Sequence, residues 1–154
     1  MNQVMRSALN SYAQVSMDAG VASASPHRLI VMLYDGALAA IAKAKFHLAG
    51  KEISDIAEKG KATSHAISII EDGLMGSLNV EAGGVLAENL YALYQYMSRR
   101  LLEGNLNNEP GAYEEVSTLL GELRDAWNGM EFQKPVSSIM RDPNRLGNGS
   151  LGMA

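Results

Sequence analysis

Tyr113, Val116, Leu120, Leu123 and Trp127 recur at intervals of 3, 4, 3 and 4 residues. That rhythm belongs to a helix with one apolar seam; a strand would show its face at every second position. Glu114, Glu115, Glu122, Arg124 and Asp125 fall between the seam positions, so they are assigned to the wet side. The same rhythm recurs upstream. From about Glu52 to Leu78 the stripe is Ile53, Ile56, Gly60, Thr63, Ile67, Ile70, Leu74 and Leu78. After a break at EAGG (Glu81–Gly84), a third helix runs to about Gly104, with Leu86, Leu90, Leu93, Met97 and Leu101 inward. β-branched residues never alternate for long enough to compete as strands.

The first helix should run from about Pro26 to Ala49. Ser25 can accept a hydrogen bond from an orphan backbone N–H, Pro26 suits the first helical position, and Gly50 can take a left-handed cap. Gly73 and Gly76 weaken the end of the second helix by about 1 kcal/mol each relative to alanine. NNEPG (Asn107–Gly111) is the next turn, and Pro110 opens the fourth helix. Four long helices joined by short loops give antiparallel neighbours. The expected fold is therefore all-α: an up-down-up-down four-helix bundle over 26–130. Before it lies an arm (1–25) with the spacing for a short extra helix. After it comes a Pro- and Gly-studded tail (131–154) that reads as mostly disordered.

The first helix carries more apolar surface than a simple bundle uses. On a wheel, Leu29, Leu33, Ala37, Ala40, Ile41, Ala44 and Leu48 span an arc of about 120°, an ordinary core face. Val31, Leu38, Ala42 and Phe46 gather roughly opposite, with Met32 and Ala39 beside them, and Asp35 and Lys45 interrupt that second face. Either another part of the chain covers it, or it is a docking surface. Nine methionines allow the same two readings, adaptable core filler or a surface that adapts to a partner.

Familiar chemistry is scarce. A chain of 154 residues fits one domain and needs no metal or disulfide to fold. It has no cysteine, which excludes thiolate catalysis and Cys-ligated metals and suits a reducing compartment. A net charge of -4 argues against gripping nucleic acid. No apolar run approaches the ~20 residues that span a bilayer, and VASA (Val21–Ala24) lacks the apolar core that precedes a signal-peptide cleavage site. The chain is therefore expected in the cytosol. The three histidines form no Glu-x-x-His pair. His65, in GKATSHAIS, raises a phosphotransfer bundle, but Lys59, Gly60 and Lys61 all precede it and a polar surface role is the simpler reading. EAGGVLAEN lacks the Lys and Ser/Thr that complete a phosphate loop. Tyr91, Tyr94 and Tyr96 read as core and rim packing, or as anchors for a partner helix. No cofactor is expected.

Tyr12, followed by VASASPHRLIVMLYDGA from Val21 to Ala37, resembles the signature of the flagellar export chaperones of the FliS family: an arm tyrosine, V-x-T-A-S-P, a basic residue, L-I and M-L-Y-D-G-A. Ser23 replaces the usual Thr and Arg28 the usual Lys. The likeness continues through Gly83-Gly84, Asn89-Leu90-Tyr91, Leu93-Tyr94, Arg100-Leu101, Leu119-Leu120 and Trp127, covering about residues 12–128. It implies a non-enzymatic cytosolic chaperone that holds the C-terminal segment of flagellin, prevents early polymerisation and passes it to the export gate. The wheel and this motif together nominate Tyr12, Val31, Tyr34, Leu38, Ala42 and Tyr91 as client contacts, with the arm covering the client groove in its absence. The chain itself is expected as a monomer or weak homodimer. The competing readings are the phosphotransfer bundle and a structural homo-oligomer that pairs through the extra face.

Overall fold

The computed structural model describes residues 25–130, which form four helices and no strand. Helix α1 spans Pro26–Leu48, α2 Ile53–Ser68, α3 Val80–Asn107 and α4 Pro110–Gly129. Cross-links fix the topology. His27 at the start of α1 meets the Trp127 carbonyl at the end of α4, and Lys45 near the end of α1 faces Glu114 near the start of α4. Lys59 on α2 reaches the Asn105 carbonyl on α3. Neighbours are therefore antiparallel, as expected.

The starts of the helices follow the sequence. Ser25 Oγ accepts from Arg28 N–H at 3.1 Å, with Pro26 in the first turn. Pro110 likewise opens α4. Two ends differ from expectation. Gly50 does not take a left-handed cap, because α1 ends on Ala49 in a right-handed conformation. Gly50 is instead needed for space: a Cβ there would lie 2.1 Å from Asp55 Oδ2. The left-handed cap falls at Asn108 (φ 53°), which lets α3 run three residues past Gly104. Asparagine tolerates that conformation better than most residues.

The second and third helices are less regular than their stripes imply. After Ser68 the chain widens into a π-helical turn, Ile69–Leu74, and tightens into a 3₁₀ turn, Met75–Ser77. Gly73 is where α1 comes closest, since a Cβ there would touch the Leu33 methyls at 3.0 Å. The glycine that weakens the helix thus admits a core leucine. EAGG does not stop a helix cleanly. Helical turns begin already at Val80, and the break is confined to Gly84 (φ 62°, ψ -143°), a conformation open essentially to glycine alone.

The core runs the length of the bundle, with Leu33, Ile41, Ile70, Leu101 and Leu120 fully buried. Tyr113, Val116, Leu120 and Trp127 of the 3-4-3-4 seam are buried and Leu123 packs against them. Thr63, a polar residue in an apolar stripe, is buried because Tyr113 OH donates to its hydroxyl (2.8 Å) while it donates to the Lys59 carbonyl. Leu86 and the first two residues of the α2 stripe depart from the inward assignment and stand exposed.

Candidate functional site

The second apolar face of α1 divides into two halves. Toward the N-terminus it belongs to the core: Val31 is fully buried, Met32 is buried, and Leu38 is half-buried against the core cluster. The two charges that interrupt the face are tied to α4. Asp35 accepts from Arg124 Nε at 2.8 Å and Lys45 faces Glu114, so both mark the line along which α4 docks. Arg124, assigned to the wet side from its spacing, instead bridges two helices. So does Glu115, which accepts from Tyr96 OH and Arg100 Nε. Toward the C-terminus the face is open, with Ala39, Ala42 and Phe46 exposed.

Tyr34 is also fully buried, and its hydroxyl is hydrogen-bonded to that of Tyr94 across the bundle. Burial pushes both phenols well above their ordinary range. Of the six nominated client contacts, Val31 and Tyr34 therefore offer no surface in this state. Leu38 offers part of one, and Ala42 and Tyr91 are open. Tyr12 lies outside the described residues.

A further set of exposed apolar side chains lies beside the seam between α2 and α3. Ile53 is 86% exposed, Ile56 69%, Leu102 50% and Leu106 70%. On a wheel, Ile53 and Ile56 share one edge of α2 with half-buried Ile67. Tyr91, Leu102 and Leu106 share one edge of α3. Both edges flank the side where Lys59 joins Asn105, so they form the two banks of one groove. Two buried polar atoms on the same side of α3, Ser98 Oγ and Asn105 Oδ1, have no hydrogen-bond partner among the described residues.

This groove was missed in the sequence because a stripe at helical spacing reads as core. The available signal was phase. Ile53 and Ile56 sit at the outer edge of the α2 stripe, and Leu102 and Leu106 lie off the Leu90–Leu101 inner seam.

The groove ends in a cavity of about 200 Å³ beside the α1–α2 turn. Ile56 and Leu48 give it apolar wall, and His47, Asp55, Lys59 and Asn108 its polar wall. Asp55 is fully engaged: Oδ1 pairs with His47 Nδ1 at 2.7 Å and Oδ2 accepts from Glu52 N–H at 3.0 Å. Those two contacts, His47 first, hold its carboxyl below the usual range. Lys59 is 7% exposed, and its ammonium donates to the Asn105 carbonyl and to Asn108 Oδ1. No carboxylate among the described residues pairs with it.

Among the described residues no cluster of His, Asp and Glu could hold a metal, and no helix is long and apolar enough to cross a membrane. His65 is exposed on α2. What the site offers is shape and apolar contact.

Comparison with known proteins agrees with that reading. A family model described as flagellar protein FliS matches residues 8–134. The chain is 50% identical over 121 residues to the flagellar secretion chaperone FliS of Salmonella typhimurium, covering 79% of this chain and 87% of that one. It is 44% identical over 133 residues to the FliS of Escherichia coli, covering 86% and 93%. To the flagellar secretion chaperone FliSB of Pseudomonas aeruginosa it is 44% identical over 123 residues, covering 80% and 94%. A helical bundle with a spare apolar groove, matched by this family along most of its length, belongs to the FliS family of flagellar secretion chaperones.

Proposed function

We propose that the chain is a non-enzymatic cytosolic chaperone that holds the C-terminal segment of flagellin, keeps it from polymerising early and passes it to the export gate. The observation that carries this reading is the α2–α3 groove, where four large apolar side chains stand in water on a chain of this family. Exposure of that kind on a protein surface marks a place for a partner. A groove with two apolar banks suits an amphipathic segment that becomes helical on docking. Ordering an extended client costs conformational entropy, so the contact has to be spread over a large area.

The open half of the α1 face, with Ala42 and Phe46, gives a second strip over which a long client can continue. Val31 and Tyr34 take an indirect part, by fixing α1 against α4 and α3.

Light scattering across a range of concentrations, with and without a flagellin C-terminal peptide, tests the reading. The expected result is a protein of constant mass that binds one peptide. Self-association through the apolar surface, with no peptide binding, would instead support a structural homo-oligomer.

A further inference from the structure

We propose that the cavity around Lys59 captures the chain-terminal carboxylate of the client; this rests on the flagellin-binding reading above and adds to it a specific anchor.

Lys59 is a nearly buried ammonium on the second turn of α2, and both of its partners, Asn105 O and Asn108 Oδ1, are neutral. An ammonium has three donors, so one remains unused. Placing a charge out of water without a counter-charge is costly, and the cost falls when an anion joins it. Lys59 lines an open cavity into which such a group can come.

The other polar groups there narrow the choice. Asp55 is engaged with His47 and with Glu52 N–H, and neither of its oxygens pairs with Lys59. The Glu52 side chain is exposed and takes part in the capping box of α2, and it makes no ion pair with Lys59. Lys59 and Asn108 are left as the groups able to receive a carboxylate.

The place in the groove argues for a chain end. The cavity is walled by the α1–α2 turn at Gly50 and Glu52, by the first turns of α2, and by Asn108, where α3 stops. Ile56 belongs both to the exposed bank and to the cavity wall, so the two are continuous. The α3 bank stops at Asn108, which Lys59 Nζ contacts, so a segment running along Leu102 and Leu106 toward the turn reaches the end of that bank beside the ammonium. A carboxylate that ends the chain fits there, where a continuing backbone would have to leave the surface.

The test is calorimetric titration of the full chain with a synthetic flagellin C-terminal peptide, made once with a free carboxylate and once with a C-terminal amide. Against the wild-type chain the free acid is expected to bind ~10-fold tighter or more, the worth of one charge-assisted hydrogen bond. Against Lys59→Met the two peptides should bind alike, provided circular dichroism shows the helices retained. The wild-type comparison stands by itself if that variant fails to fold. Equal binding of acid and amide to the wild-type chain would overturn the anchor and leave the flagellin reading standing. So would an acid preference that persists in Lys59→Met, or dependence on an internal acidic side chain of the peptide instead. Failure of both peptides to bind would overturn the flagellin reading itself, and the anchor with it.

Discussion

The second face of α1 and the groove between α2 and α3 look alike in the sequence and have opposite fates in the fold. Each is a run of apolar residues in excess of what one core seam needs. Along α1, Val31 and Met32 are buried, and α4 is tied to the same side by Asp35–Arg124 and Lys45–Glu114. Beside α2 and α3 no described helix does the same, and Ile53, Ile56, Leu102 and Leu106 stay in water. The difference teaches that an apolar stripe reports only that burial is wanted. Which element supplies the burial depends on charges carried by another helix, here Arg124 and Glu114, or on a partner.

The contrast can be broken most forcefully at Val31. Val31→Asp places a charge at a fully buried position, and is expected to cost about 4 kcal/mol or more. Urea unfolding followed by circular dichroism would show it. A variant as stable as the wild type would mean that this part of α1 is surface after all. Tyr34→Phe sharpens the same point at smaller scale. It leaves the buried Tyr94 hydroxyl without its partner and is expected to cost about 1–2 kcal/mol, read from the shift of the urea midpoint.

The smallest effect is that of pH. The carboxyls of Asp55 and Glu115 are held below their usual range, Asp55 by His47 and then Glu52 N–H, Glu115 by Tyr96 and then Arg100. Depressed carboxyls stabilise the fold while ionised, so their contribution is present above the unfolded-state value and is lost as pH falls through the folded one. The thermal midpoint should stay level down to about pH 5 and decline below about pH 4. Asp55→Asn should make the decline shallower. Both carboxylates sit near the surface, so the effect is modest.

Much of the fold was legible in the residues. Ser25, Pro26 and Pro110 announce their helices because a cap or a fixed φ acts locally. Tyr113 through Trp127 announce a core seam because spacing alone puts them on one side. What spacing does not carry is how much of a stripe the neighbouring helices cover. Ile53 and Ile56 belong to the same stripe as Ile70, but they fall at its outer edge, off the arc that Ala62, Thr63, Ala66 and Ile70 bury, and so are exposed. The π turn at Ile69–Leu74 and the space kept by Gly50 were likewise hidden, since each depends on a tertiary neighbour, Leu33 in one case and Asp55 in the other. For the candidate site, the wheel pointed to a second apolar face on α1, of which Ala42 and Phe46 are open while Val31 and Tyr34 are buried. The charges at Asp35 and Lys45 were the clue, since their partners on α4 were also visible in the sequence.

The most direct test places a charge on each surface in turn and measures flagellin binding. Ile56→Asp with Leu102→Asp charges both banks of the groove, while Ala42→Asp with Phe46→Asp charges the open strip on α1, and all four positions are exposed enough to leave stability within ~0.5 kcal/mol. With the flagellin C-terminal peptide in a calorimeter, the groove variant is expected to lose ~10-fold or more in affinity and the α1 variant markedly less. Undiminished binding by the groove variant, above all with binding lost in the α1 variant, would contradict the account.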